Sequence, residues 1–136
     1  MKSTTFSPQE MIQNDLIGFS DSEGMIEDKR AEGEISDEEH MDLFYTMDTP
    51  ETKRIVLQWK LEECASDFID SIREIGIKTP IAILDGNVLN GHHRIAVAQH
   101  LGIDVPVDIY DSWEEFDSLH RWSSPNLVDC DGTKGY

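Results

Sequence analysis

The sequence predicts an α/β (α+β) fold, a small mixed sheet with packed helices, preceded by an acidic arm. Three observations predict it. Strand-like and helix-like stretches alternate between residues 54 and 110. Hydrophobic residues make up 38% of the 136-residue chain, enough for one modest core. Acidic residues crowd residues 20–42, where apolar ones are few.

The elements follow in order. Ser7-Pro8-Gln9-Glu10 has the spacing of a capping box with proline at the first helical position. Met11, Ile12, Leu16 and Ile17 follow at helical intervals, which predicts a short helix over residues 8–18. From Ser20 to Asp42 the chain holds ten acidic residues with Gly24 and Gly33, a composition that does not offset the entropy lost on ordering. This arm is expected to be disordered or loosely held. Arg54-Ile55-Val56-Leu57-Gln58-Trp59 reads as a strand, with the domain beginning at about residue 43.

Leu61, Cys64, Ala65, Phe68, Ile69, Ile72 and Ile75 form one helical stripe that stops at Gly76. Thr79-Pro80-Ile81-Ala82-Ile83-Leu84 then reads as a strand, and Asp85-Gly86 as the tight turn of a hairpin continuing through Asn87-Val88-Leu89. A helix from Arg94 to Leu101 stops at Gly102, and Val105–Tyr110 alternates like a strand. Ser112-Trp113-Glu114-Glu115 is a second capping box, opening a helix whose row Trp113, Phe116, Leu119 and Trp122 is expected to be core. The domain organisation is thus an arm over 1–42, a folded domain over 43–122 and an irregular tail over 123–136.

Charge bounds the function. The chain carries 28 acidic and 11 basic residues, a net charge of −17. Residues 1–50 hold 13 acids against 3 bases, residues 51–110 hold 9 against 6, and residues 111–136 hold 6 against 2. Lysine and arginine supply most of the grip on a phosphate backbone, so this balance disfavours direct nucleic-acid binding. It suits an arm that engages a basic protein surface, or one that serves only as a solubilising tail. No run of eighteen apolar residues occurs and no secretory leader opens the chain, so a cytoplasmic protein without a membrane span is expected. Cys64 and Cys130 stand far apart and are read as two reduced thiols.

Asn90-Gly91-His92-His93-Arg94 carries the chemistry. It falls between a strand and a helix start, where backbone N–H groups lack intrahelical partners and the helix dipole is positive. Gly91 permits close approach of a phosphate, Arg94 offers a fork of donors, and His92 and His93 donate hydrogen bonds or carry a proton near neutral pH. Such residues suit a phosphate cradle. Lys78 precedes the strand that leads to it and is a candidate for a distal phosphate. His92, His93 and His100 are not read as a metal site, because adjacent histidines on a turn point different ways.

Gly76-Ile77-Lys78-Thr79-Pro80-Ile81, the hairpin ending Val88-Leu89-Asn90-Gly91-His92-His93-Arg94, an alanine-rich helix and Leu101-Gly102-Ile103-Asp104-Val105-Pro106-Val107 together resemble the ParB/sulfiredoxin superfamily. The resemblance runs from about Ala65 to Tyr110. It implies a nucleotide-binding domain whose cradle, Asn90, Gly91, His92, His93 and Arg94, receives the phosphates of CTP, ATP or ADP, accompanied by Mg²⁺. His92 stands where sulfiredoxins place their catalytic cysteine, which argues against that chemistry. Too few residues follow Tyr110 for the helix-turn-helix and dimerisation segments of chromosome-partition ParB proteins.

The Asp-Gly-His-His-Arg branch of free serine kinases is closer, although Asn90 replaces the usual aspartate and an amide cannot act as a base. Glu51, Glu62 and Asp85 are the candidates for the carboxylate that such kinases use. The resemblance thus implies a small-molecule kinase or nucleotidase with His92 and His93 in catalytic roles. The alternative is a non-catalytic regulatory or inhibitory protein. ParB-type DNA binding or nuclease activity ranks below both, for want of a basic surface and of clustered metal-holding carboxylates. A small acidic carrier of this fold suits a phage or mobile-element accessory protein.

Overall fold

Residues 81–84 and 105–110 are the apolar strands that organise the molecule. The computed structural model describes residues 1–119 of the chain. Among these, five strands form one mixed sheet in the order β1-β5-β3-β4-β2: β1 (Lys2–Phe6), β2 (Gly18–Phe19), β3 (Ile81–Leu84), β4 (Asn87–Val88) and β5 (Val105–Tyr110). β5 runs parallel to β3, with Ile81 opposite Val107, and antiparallel to β1, with Lys2 opposite Ile109. β3 and β4 form the expected hairpin. Asp85 and Gly86 both take positive φ, +52° and +76°, as the mirror-image two-residue turn requires. A Cβ on Gly86 would lie 2.7 Å from the Leu16 carbonyl oxygen, so the turn packs directly on the backbone leading into β2.

Seven helices surround the sheet among the described residues: α1 (Pro8–Gln13), α2 (Ser22–Ala31), α3 (Asp37–Tyr45), α4 (Pro50–Glu62), α5 (Ser66–Ile75), α6 (His92–Leu101) and α7 (Trp113–Leu119). Successive residues of a strand face opposite sides, and the core divides accordingly. Ile81, Ile83, Val105 and Val107 face α1, α4 and α6, packing with Met11, Ile12, Leu57, Ile95 and Ala98. Ala82, Leu84 and Tyr110 face α7, where Phe116 is fully buried. α5 lays Phe68 and Ile72 on Val97 of α6. No helix among the described residues is long and apolar enough to cross a membrane.

The structure differs from the sequence reading in six places. The first helix ends at Gln13 instead of reaching residue 18: Asn14 is its C-cap with extended backbone, Leu16 is exposed, and Gly18 opens β2. Residues 54–59 are helical, within α4, rather than a strand. Thr49 caps that helix through its side chain and Pro50 sits in its first turn, and these signals outweigh the β-branched pair Ile55-Val56. The stripe from Leu61 is split between two helices: α4 ends at Glu62 and α5 starts at Ser66. In the acidic segment, α2 and α3 stand where composition predicts a loose arm. Met25 and Ile26 are buried, and Lys29 pairs with Glu34. β1 and β2 add two further strands from the N-terminal residues, so the sheet draws on residues 1–42 as well as on the expected domain. Lastly, Phe116 is core but Trp113 and Leu119 are exposed. Trp122, Cys130 and the tail over 123–136 lie outside the described residues.

The capping box at Ser7 forms as read: Ser7 Oγ accepts from Glu10 N and the Glu10 carboxylate accepts from Ser7 N. At the expected second box Ser112 Oγ accepts from Glu115 N, while the Glu115 carboxylate accepts from Asp111 N; a box not read from the sequence, at Ser36 and Glu39, opens α3.

Candidate functional site

The expected cradle opens α6. Gly91 is its N-cap, in the left-handed conformation at φ +85°. A Cβ there would lie 2.2 Å from Ile81 Cδ1 and 3.0 Å from an Arg94 guanidinium nitrogen, so only glycine lets the chain pass this tightly between β3 and the first turn. Because Gly91 has no side chain, the N–H groups of the first turn receive no side-chain cap.

The side chains of the cradle bond within the chain. Asn90 Oδ1 accepts from Ala82 N at 3.1 Å, tying the loop to β3. Arg94 donates from its guanidinium to the Thr79 carbonyl, which holds the approach to the same strand. His93 Nε2 lies 2.9 Å from Glu63 Oε1, just beyond the end of α4. His92 turns inward. Its side chain is 1% exposed, its Nδ1 is 3.1 Å from Asp21 Oδ2, and its ring meets Phe19 edge-on with centroids 5.7 Å apart. A carboxylate only accepts, so Nδ1 carries the proton in this bond. Nε2 is buried with no hydrogen-bond partner among the described residues. Lys78, the sixth expected residue, is exposed on the loop between α5 and β3.

Three residues that sequence reasoning did not select complete the cluster. The same Asp21 oxygen also accepts from Lys60 Nζ at 2.9 Å. Lys60 is buried on α4, Asp21 is the N-cap of α2, and Glu63 bonds His93. One carboxylate from the acidic segment therefore lies between a histidine and a lysine at the start of α6, the position where a helix favours an anion. Glu51, Glu62 and Asp85, the carboxylates considered from sequence, are all exposed. The signal for Asp21 was present only as a polar residue ahead of a helix; its partners come from residues 39 and 71 positions away.

Comparison with protein-family models, curated proteins and solved structures gives no match. The site is therefore read from its own chemistry.

Hydrogen bonding from His92, reinforced by the charges of His92 and Lys60, holds the Asp21 carboxyl well below the usual carboxylate range against the opposing effect of burial. Burial pushes the His93 imidazole below its ordinary value of 6.5; the bond to Glu63 works the other way. A cleft of about 260 Å³ shares Asp21 and Lys60 with the cluster and is also lined by Ser20, Gly24, Met25 and Asp28.

These shifts give the stability a direction with pH. In both cases the unfolded chain takes up a proton more readily than the folded one, so acidification destabilises. The His93 contribution is present above its unfolded value of 6.5 and is lost as pH falls below it. The Asp21 contribution is present above the ordinary carboxylate range and is lost as pH falls through it. Urea midpoints should fall between about pH 7.5 and about pH 5, and fall again below about pH 4. His93→Gln removes the first step, and Asp21→Asn reduces the second, to which Glu27, Glu34 and Glu115, also held below their ordinary values by cationic partners, contribute. Midpoints that stay flat with pH in the wild type contradict this assignment.

Proposed function

We propose that the chain is a ParB/sulfiredoxin-like nucleotide-binding domain that receives the phosphates of CTP, ATP or ADP, with Mg²⁺, at the start of α6. In this reading Asp21 holds the seat closed until the ligand displaces it. The observation that carries the reading is a single carboxylate bonded by both His92 and Lys60 at an uncapped helix N-terminus. The donors fit an anion, and an internal anion already bonds two of them. Asn90, Gly91, His92, His93 and Arg94 form the cradle, Lys60 joins it, and Lys78 reaches toward a distal phosphate.

As a small-molecule kinase or nucleotidase, the domain works mainly by positioning and charge. His93 is the group that takes the proton from an attacking hydroxyl or water as the new O–P bond forms and the nucleoside phosphate leaves. Burial keeps it neutral near pH 7, and Glu63 orients it. His92 stays on the phosphate. The domain works in the cytoplasm, as an accessory protein of a phage or mobile element.

A second reading keeps the fold without turnover: a regulatory or inhibitory protein whose acidic N-terminal portion engages a basic partner surface. The acidic surplus of residues 1–50 and the origin of Asp21 in that portion favour it.

Isothermal titration with CTP, ATP, ADP and GTP plus Mg²⁺ tests the first reading on the wild type, Arg94→Ala and Asp21→Asn. Binding that is lost in Arg94→Ala, with the fold checked by circular dichroism, and that tightens in Asp21→Asn is the expected result. Folded wild type and folded Asp21→Asn that both fail to bind any of the four overturn it.

A further inference from the structure

α3 is a helix without a core. None of its nine residues is buried, although it carries Met41, Leu43, Phe44 and Tyr45. Met41 is 58% and Tyr45 78% exposed. At a spacing of four they share one face. Helices this short are marginal in water unless something packs on them. Leu43 and Phe44 are half-buried where α3 meets α2, and the further contacts of α3 are the Ser36–Glu39 box, a 2.5 Å bond from His40 Nε2 to Glu27 Oε1, and His40 stacked on Phe44.

At the end of α3 this face runs into a cleft of about 480 Å³, lined by Phe44, Tyr45 and Met47 together with Asp15 and Asp48. The Phe44 and Tyr45 rings meet edge-on at 5.6 Å. Among the described residues no basic side chain lines the cleft, and none stands in the last turn of α3, whose carbonyl end is negative. The buried Lys53 feels both carboxylates, one cation against two anions. Aromatic rings beside carboxylates, at the negative end of a helix, suit a cationic side chain. Asp37, Glu38 and Asp42 extend the same charge along the exposed helix.

We propose that α3 and this cleft form a docking surface for a basic, apolar-flanked protein segment, whose arginine or lysine sits between Asp15 and Asp48 against Tyr45. Met41 and Tyr45 supply the apolar anchor, and the surrounding carboxylates steer the encounter. The inference rests on the second reading above for the sign of the partner's charge, and adds where on the molecule that partner sits. A second copy is a poor occupant, since each chain carries −17. The same charge disfavours nucleic acid.

Fluorescence anisotropy with a labelled arginine–leucine amphipathic peptide tests the proposal, with a lysine–glycine peptide of equal charge and a glutamate–leucine peptide as controls. The protein forms are the full chain, Met41→Ser/Tyr45→Ser and Asp15→Asn/Asp48→Asn. The arginine–leucine peptide should bind the full chain, and about tenfold more weakly to each double variant. The lysine–glycine peptide should bind the full chain less tightly and ignore Met41→Ser/Tyr45→Ser. Because Met41 and Tyr45 are exposed, that variant should keep its melting temperature. Equal arginine–leucine binding by all three forms overturns the α3 site while leaving an acidic-surface role elsewhere. No binding of either basic peptide overturns both. Sedimentation showing self-association that Met41→Ser/Tyr45→Ser abolishes would assign the face to a second copy and overturn the proposal.

Discussion

Replacing Asp21 with alanine should destabilise the protein by about 2 kcal/mol and, at the same time, raise its affinity for inorganic pyrophosphate at least about tenfold. The two effects have one cause. Lys60 and His92 have side chains only 9% and 1% exposed, and both bond the same carboxylate oxygen. Removing one partner of a fully buried pair costs about 3–5 kcal/mol. Asp21 itself is 44% exposed, so water re-solvates part of what is left behind and the smaller figure applies. The cationic lysine and the histidine donor then face an open seat at the head of α6, and an external anion can bond them. Pyrophosphate at about 100 times its dissociation constant would return about 2.7 kcal/mol of stability.

The measurement is thermal unfolding of wild type and Asp21→Ala with and without pyrophosphate, in sodium chloride of matched ionic strength. Rescue of the variant, with little change in the wild type, is the result expected of a seat that Asp21 fills. Destabilisation without rescue would make Asp21 a staple between α2, α4 and α6, and the nucleotide reading would lose its main support.

The parts of the fold that were legible in the sequence are those whose signals are local. Asp85-Gly86 sets the hairpin turn by its own backbone preferences, and Gly102 ends α6 where the helical stripe ends. β1 is different. Lys2–Phe6 carries little apolar pattern, and it becomes a strand because Val105–Tyr110, a hundred residues away, offers a partner. The misreading of α4 has a specific cause. Its inward face repeats at Lys53, Val56, Leu57 and Lys60, a helical spacing, but two of the four are lysines. A hydrophobicity pattern assigns lysines to solvent, so the stripe disappears and only the β-branched pair remains visible.

The same blindness hid half of the candidate site. His92, His93 and Arg94 stand together in sequence and were legible as a group. Asp21, Lys60 and Glu63 join them only through the fold, and Lys60 sits on the very face that was misread. The mean composition of the acidic segment hides Met25 and Ile26, adjacent on α2, which supply enough buried surface to dock that helix.

Lys53 is the residue whose loss should cost most. It is fully buried, yet its hydrogen-bond partners are backbone carbonyls: Met11 O at 3.1 Å and Asn14 O at 2.8 Å, around the end of α1. Helix carbonyls at that end are negative and lack intrahelical donors, so an ammonium satisfies them as a cap. The ring of Phe19 lies 5.5 Å from the same nitrogen. Lys53→Ala should therefore destabilise by about 4 kcal/mol, combining the cavity left by the stem with the loss of the ammonium donor to Met11 O and to Asn14 O, which keeps its bond from Ile17 N. Lys53→Met keeps most of the stem and removes a desolvated charge, and should cost about 1–2 kcal/mol.

The pH dependence separates the ammonium from the packing. Burial lowers the Lys53 pKa from 10.5, against the attraction of Asp48 and Asp15. Between its folded and unfolded values the unfolded chain binds the extra proton, so the cost of burying the charge fades as pH rises through that window. Wild-type stability measured against Lys53→Met should therefore grow toward alkaline pH. If Lys53→Ala loses less than about 1 kcal/mol, α1 and α4 are held by Met11, Ile12 and Leu57 alone, and the buried lysine is a passenger in the core.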